Sequence, residues 1–157
     1  MLARVRALFS GSGRQAAAET KAAVAEVGPD ADLSGRLLRG AKLVGRDLRR
    51  VNFSGADLSS ADLSRCDLTG ANLTGANLLG AKLVNAEIVD VQGLGVCLID
   101  ANLRGAKLSN FVAKGGLFEG ADLRGATLTN VDFSNCDFTM SRLCDIDFAE
   151  TDLSEVA

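Results

Sequence analysis

The sequence predicts an all-β solenoid, and three observations carry that prediction. A leucine, isoleucine or phenylalanine returns at every fifth residue from Leu33 to Leu153, and only Gly93 and Ala113 break the row. A small or apolar residue, usually Ala, stands two places before all of them but Leu38 and Leu48, as in Ala56-Asp57-Leu58 and Ala71-Asn72-Leu73. Turn chemistry follows, often Ser-Gly or Thr-Gly, where Gly is free to take positive φ. Neither a helix at 3.6 residues per turn nor a simple strand at 2.0 holds a period of five over such a length. In each unit the large residue and the Ala two places earlier point the same way, as in an extended segment, and the next residues make a corner. Function in such a rod is read from its outer faces.

The units Ala56-Asp57-Leu58-Ser59-Ser60, Ala61-Asp62-Leu63-Ser64-Arg65, Ala71-Asn72-Leu73-Thr74-Gly75 and Ala121-Asp122-Leu123-Arg124-Gly125 resemble the pentapeptide-repeat proteins, whose pattern is A(D/N)LXX. The resemblance covers residues 31–155, about four-fifths of the chain. It implies a right-handed quadrilateral β-helix with four repeats in each coil and about six coils here. At ~4.8 Å between stacked strands, such a rod is roughly 30 Å long.

Residues 1–30 lie outside the five-residue frame and are expected to form an N-terminal arm and capping helix, leaving 31–157 as the β-helix. Residues 1–9 carry Leu2, Val5, Leu8 and Phe9 at helical spacing with Arg4 and Arg6 between them, which suits an arm that caps the rod or a membrane-surface anchor. Ser10-Gly11-Ser12-Gly13 reads as a joint, and the Ala-rich stretch from Gln15 to Val27 as a helix stopped by Gly28-Pro29. That helix would cover the first coil, whose edge otherwise exposes backbone groups. In the first coil Arg36 and Arg46 occupy inward slots, so a distorted coil or outward-reaching arginines are expected. The middle of the rod is regular, best seen in the column Leu43, Leu63, Leu83, Leu103, Leu123 and Leu143. Phe133, Phe138 and Phe148 crowd the last coils, so that end is expected to be plugged by their rings or joined to a second copy in a homodimer.

Gly93 and Ala113 are twenty residues apart and fall on one face of adjacent coils. Each removes a large core residue, and Phe111, in a slot normally held by Ala, is placed to refill the space. Glycines 93, 95, 115 and 116 would let the backbone bulge there. The outward slots around the gap hold Leu94, Cys97, Val112 and Leu117, with Gln92 and Lys114 beside them and Glu119 at the rim. These residues are expected to form an apolar partner-binding patch, unless Leu94 or Leu117 turns inward in a local repacking.

Composition excludes most chemistry. The chain has no His, Trp or Tyr, which removes the usual general base and the commonest zinc ligand. Its four cysteines, Cys66, Cys97, Cys136 and Cys144, lack metal or redox spacing; Cys66 and Cys136 fall inward, Cys97 and Cys144 outward. Free thiols suit a reducing cytoplasm, and no apolar run is long enough to cross a membrane. No catalytic residue, metal or cofactor is expected.

Net charge is −3, polarised along the chain. Residues 31–114 hold eight acids against eleven bases, and residues 115–157 hold nine acids against two bases. The acidic end is carried by Asp132, Asp137, Asp145, Asp147, Glu150 and Asp152, either as a solvated repeat surface or as a site for a basic partner. A basic cluster of Arg36, Arg39, Lys42, Arg46, Arg49 and Arg50 has no interleaved aromatic residue, which argues against nucleic acid. The primary reading is a non-enzymatic protein-interaction module of the bacterial cytoplasm. The resemblance implies an alternative, because some pentapeptide-repeat proteins inhibit or protect DNA gyrase, a type II topoisomerase, by imitating duplex DNA. Those relatives look like acidic dimeric rods, typically with a helical C-terminal dimerisation segment. This sequence lacks that pattern and is acidic only in its last third.

Overall fold

The computed structural model describes residue 24, residues 27–148 and residues 151–156. Among them the chain pairs with itself in parallel at intervals of twenty residues. One ladder runs Asp32, Asn52, Asn72, Gln92, Val112, Asp132, and its last rung joins β4 (Val131–Asp132) to β5 (Thr151–Asp152). Three further ladders run through Leu37, Lys42 and Asp47, one on each remaining side. Most rungs are single residues, because a corner every five residues keeps the pairing short. On one side the pairing lengthens into β1 (Glu87–Val89), β2 (Lys107–Ser109) and β3 (Thr127–Thr129), which stack in parallel with Ile88, Leu108 and Leu128 in register.

The unit Ala71–Gly75 shows how the five backbone amides are satisfied. Ala71 donates across the corner to the Leu68 carbonyl (2.9 Å). Asn72 donates to Val51 in the coil below (3.0 Å). Leu73 and Gly75 donate to Gln92 and Leu94 in the coil above (2.6 and 2.9 Å). The remaining amide, of Thr74, points where no backbone carbonyl lies, and the Asn72 side-chain Oδ1 accepts it at 3.0 Å. The same side-chain bond recurs at Asp62–Ser64, Asn102–Arg104 and Asp132–Ser134. The Asp or Asn before each core leucine is thus an Asx-type clamp on the one amide the ladder cannot serve.

Each described corner residue has positive φ, between 51° and 73°. Most are Gly, Asn or Asp, which tolerate that region best; Arg50, Ser60, Arg65, Met140 and Glu155 are the exceptions. A left-handed residue in the third place of a four-residue turn is what type II geometry requires.

The interior is filled by side chains. Leu43, Leu63, Leu83, Leu103 and Leu123 are wholly buried, and Ala41, Ala61, Ala81, Ala101 and Ala121 fill the space beside them. Toward the end of the rod Phe118, Phe133 and Phe138 form a ring cluster, Phe118 stacked on Phe138 at 4.7 Å and both edge-on to Phe133 at 5.2 and 5.0 Å. The expected plug is therefore built partly from Phe118, while Phe148 is only half-buried.

The first coil is regular rather than distorted, with Asp32–Asn52 and Leu37–Asp57 in register. Its arginines leave the core instead: Arg36 is exposed, and Arg46 turns to donate to the Val27 carbonyl at 3.0 Å. Of the expected capping helix, Val24 is helical and packs against the core. The rest of the arm and helix, residues 1–23, 25 and 26, lies outside the described residues.

Leu63→Ala, in mid-rod, is expected to cost about 2–5 kcal/mol in urea unfolding, because neighbouring coils cannot collapse into the hole. Leu153→Ala, at a side chain that is 42% exposed, is expected to cost about 1 kcal/mol or less. Equal losses would contradict a core built of stacked rungs.

Candidate functional site

The interruption at Gly93 and Ala113 is a rearrangement of volume inside the core. Phe111 is fully buried and its ring lies against Gly93, where a Cβ would stand 2.6 Å from Phe111 Cε2. One large residue in the slot usually held by Ala thus replaces the missing leucine of the coil below, as the sequence led us to expect. Gly116 answers a similar demand: a Cβ there would meet the Ala113 carbonyl oxygen at 2.8 Å and Phe118 Cε2 at 2.9 Å. The expected bulge does not occur. Gln92 pairs with Asn72 and Val112, and Gly93 and Gly95 donate to Val112 and Lys114 at 2.8 and 3.0 Å, so the ladder passes straight through.

Outside this repacked core, Leu94 is 52% exposed at a corner and has not turned inward. Gln92 and Lys114 are exposed near it, and Val112, Leu117 and Glu119 are half-buried. Cys97 departs from the expectation. It holds an outward slot, yet it is only 6% exposed, and burial pushes its thiol pKa up. It is therefore no contact residue of an open patch. Beside it Ile99 is likewise only 6% exposed, while the half-buried Leu79 extends the apolar surface along the next side of the rod. The sequence reading missed both, although the five-residue phase puts each one place after a core leucine, on the outside.

A second feature joins two groups of residues that the sequence kept apart. A groove of about 480 Å³ runs along one edge, and Gln92 and Val112 line it together with Asp132 and Asp152 of the acidic end. Its other wall is a corner column in which Asn130 donates to Asn110 (2.8 Å) and Asn110 to Asp90 (2.7 Å). The interrupted face and part of the acidic end are thus one continuous surface.

The remaining acids are spread around the rod. Asp137 stands on the side next to Asp132, Asp145 is an exposed corner, and Asp147 is exposed on the fourth side. Glu150 lies outside the described residues. Asp132, Asp137 and Asp152 each accept the amide two residues ahead at 2.9 Å, so they are clamps of the fold as well as charges. Hydrogen bonds from Thr139 to Asp137 and from Ser154 to Asp152 lower both carboxyl pKa values. The basic cluster is largely engaged within the chain. Arg49 grips Asp47 at 2.8 and 2.6 Å, Arg50 grips Asp30 at 2.6 Å, Arg39 pairs with Asp57 and Arg46 holds Val27. Of the cysteines, only Cys144 is exposed; Cys66 and Cys136 point inward, their Sγ atoms 2.9 and 3.1 Å from the Leu43 and Ala113 carbonyls. Among the described residues, no group of His, Cys, Asp and Glu is placed to hold a metal ion, and no helix is long and apolar enough to cross a membrane.

The described residues thus form a parallel β-solenoid with a core filled by side chains. A family model for pentapeptide repeats matches residues 30–65, 52–88 and 97–139, in eight copies. The chain belongs to the pentapeptide-repeat family, whose members form right-handed quadrilateral β-helices. Among solved structures, the pentapeptide repeat protein Rfr23 from the cyanobacterium Cyanothece 51142 is 29% identical over 57% of this chain and 58% of its own, with a TM-score of 0.47. This chain therefore spans little more than half of Rfr23. A trypsin-treated variant of QnrB1, a plasmid-mediated fluoroquinolone resistance protein, is 22% identical over 80% of this chain and 76% of its own, with a TM-score of 0.54. A pentapeptide repeat protein from the Arabidopsis thaliana thylakoid lumen is 32% identical over 71% and 70%, with a TM-score of 0.36. No curated protein matches the chain.

The ion pairs set an acid limit. Hydrogen bonding from the Arg49 and Arg124 guanidiniums holds the Asp47 and Asp122 carboxyls at about 2. A folded-state pKa below the unfolded value of about 3.9 stabilises the fold above pH ~4, and that contribution is lost as pH falls toward 2. The urea midpoint is expected to be level from pH 7 to 5 and to fall between pH 4 and 2. The double variant Asp47→Asn/Asp122→Asn, which keeps the amide clamp, is expected to fall less. A midpoint unchanged down to pH 2 would contradict this.

Proposed function

We propose that this chain is a non-enzymatic interaction module of the bacterial cytoplasm, a rigid rod that binds another protein along the face of Gly93 and Ala113. The observation that carries this reading is Leu94, a large apolar side chain 52% exposed where the core has been rebuilt beneath it. Gln92, Val112, Lys114 and Leu117 frame it, and the adjoining groove adds hydrogen-bonding groups beside the apolar centre. That combination of an apolar centre with a polar rim is common in protein-binding surfaces. The filled row of leucines supports binding at the surface over chemistry in a cavity.

A second reading is supported by the excess of acids in residues 115–157: a duplex mimic that binds a type II topoisomerase, acting in resistance to quinolones. QnrB1 is called a fluoroquinolone resistance protein, but at 22% identity its likeness speaks to fold. The acids here encircle the rod instead of tracking along it, so we place this reading second. A homodimer through the C-terminal ends is supported by Met140, 82% exposed, and Leu153, 42% exposed, beside the half-buried Ile146 and Phe148.

One set of samples tests these readings. Wild type and Leu94→Asp/Leu117→Asp, matched for fold by circular dichroism, are used to capture partners from the native lysate at low and high salt. We expect a partner held by the wild type at both salt concentrations and lost by the variant. A partner held equally by both would overturn the patch, and a topoisomerase subunit released by salt would favour the duplex mimic. Sedimentation of the wild type is expected to give a dimer that Met140→Asp/Leu153→Asp converts to monomer; a monomeric wild type would overturn the dimer.

A further inference from the structure

Charge in this rod sorts by side as well as along its length. The ladder that begins at Lys42 passes in register through Asp62, Lys82, Asn102, Asp122 and Arg142, roughly 24 Å at ~4.8 Å per rung. Each turn of the chain adds one base to this side: Lys42, Arg65, Lys82, Arg104, Arg124 and Arg142. Its acids are three, Asp62, Asp122 and Asp145, whereas the rest of residues 31–157 holds seven bases against fourteen acids. Arg124 and Arg142 are the two bases of the acidic stretch 115–157, and both fall here. The bases of this side are also the uncommitted ones. Elsewhere Arg39, Arg49 and Arg50 are tied to Asp57, Asp47 and Asp30. On this side, among the described residues, Arg124 alone has an ion pair, with Asp122 at 2.6 Å. Lys42, Arg65, Lys82, Arg104 and Arg142 are exposed. Asp62 and Asp122 are half-buried, and each accepts the amide two residues ahead, so part of their capacity is committed to the fold.

We propose that this basic side is a docking surface for the phosphates of an anionic lipid bilayer. Charge complementarity carries the proposal: a row of unpaired bases attracts a negatively charged leaflet, and each Lys or Arg near the surface adds to the attraction. In mid-row Arg104 and Arg124 stand one rung apart and line a groove of about 460 Å³ with Asn85 and Asn102. Two guanidiniums and two side-chain amides there offer donors suited to phosphate oxygens. The shape of the side selects lipid over nucleic acid. A duplex winds its phosphates about an axis, so a row laid along one side of a rod meets few of them, whereas a bilayer offers phosphate beneath every rung. Single strands are held by bases stacked on aromatic rings, and this side carries none. Its aliphatic residues are instead Val44, 50% exposed, and the half-buried Val84. Docked in this way, the rod turns the acids Asp132 and Asp152 away from the lipid, because their ladder lies on the opposite side. The inference shares no residue with the partner face around Leu94 and does not rest on the function proposed above.

Vesicle flotation of the full chain tests it, with an environment-sensitive dye on Cys144, the exposed cysteine, which lies on this same side. Vesicles of phosphatidylglycerol and phosphatidylcholine are expected to bind the chain about tenfold or more tightly than phosphatidylcholine alone, and to raise the dye emission about twofold. Raising salt to ~0.5 M is expected to weaken that binding about tenfold or more, because screening shortens the reach of the charges. Lys82→Glu/Arg104→Glu is expected to lose about tenfold or more. Arg36→Glu/Lys107→Glu makes the same change of net charge on the two flanking sides and is expected to lose less than about threefold. Circular dichroism is expected to be unchanged in both. Equal losses in the two variants, equal binding to neutral vesicles, or a dye that does not respond would each overturn the proposal. Tighter binding to a DNA duplex than to the anionic vesicles would overturn the choice of lipid.

Discussion

Parallel stacking at an interval of twenty residues governs every other feature of this rod. Each residue sits directly above and below a counterpart, so a side chain is accepted only when the coils on both sides fit it. That is why Leu63 lies between Leu43 and Leu83, and why removing a leucine at position 93 required Phe111 to fill the gap from a neighbouring slot. The same constraint makes stability a sum over adjacent coils, strongest in the middle and weakest at the ends. Among the described residues the outer slots are the ones where residue type varies most freely.

Charge in such a chain has two meanings. Asp or Asn before a core leucine closes the one amide that stacked backbones leave unserved, as Asn72 does for Thr74. Much of the acidic composition is therefore a structural requirement. The slots that carry neither Asp nor Asn occur on all four sides, Leu37, Lys42, Lys82, Glu87 and Lys107 among them, and three of them, Gln92, Val112 and Leu117, lie in the two coils around Gly93 and Ala113.

Most of the architecture was legible because one period governs it. The five-residue beat placed the core column, the corners and the replacement by Phe111 correctly, and even the outward turn of Arg36 followed from the cost of burying a charge. Three things were not legible. A bulge was expected from the glycines at 93, 95, 115 and 116, yet Gly93 and Gly116 are there for close packing against Phe111 and Phe118, a demand visible only once rings are in place. Cys97 was expected to be accessible, because slot direction follows from phase but solvent access depends on what lies over the slot. The groove joining Gln92 and Val112 to Asp132 and Asp152 escaped notice because it forms between a corner column and a ladder, two positions never adjacent in sequence.

Amide hydrogen exchange followed residue by residue tests the central claim most directly. If stacked backbones serve four amides of each unit and an Asp or Asn serves the fifth, protection must rise and fall with a period of five. Ladder amides such as those of Leu63, Leu83 and Leu103 should be slowest. Those of Ser64, Thr74 and Arg104, held by Asp62, Asn72 and Asn102, should be intermediate. Val44, Val84 and Lys114, which follow Lys42, Lys82 and Val112 instead, should exchange fastest. Equal protection of Ser64 and Val84, or a profile without the period, would contradict the account.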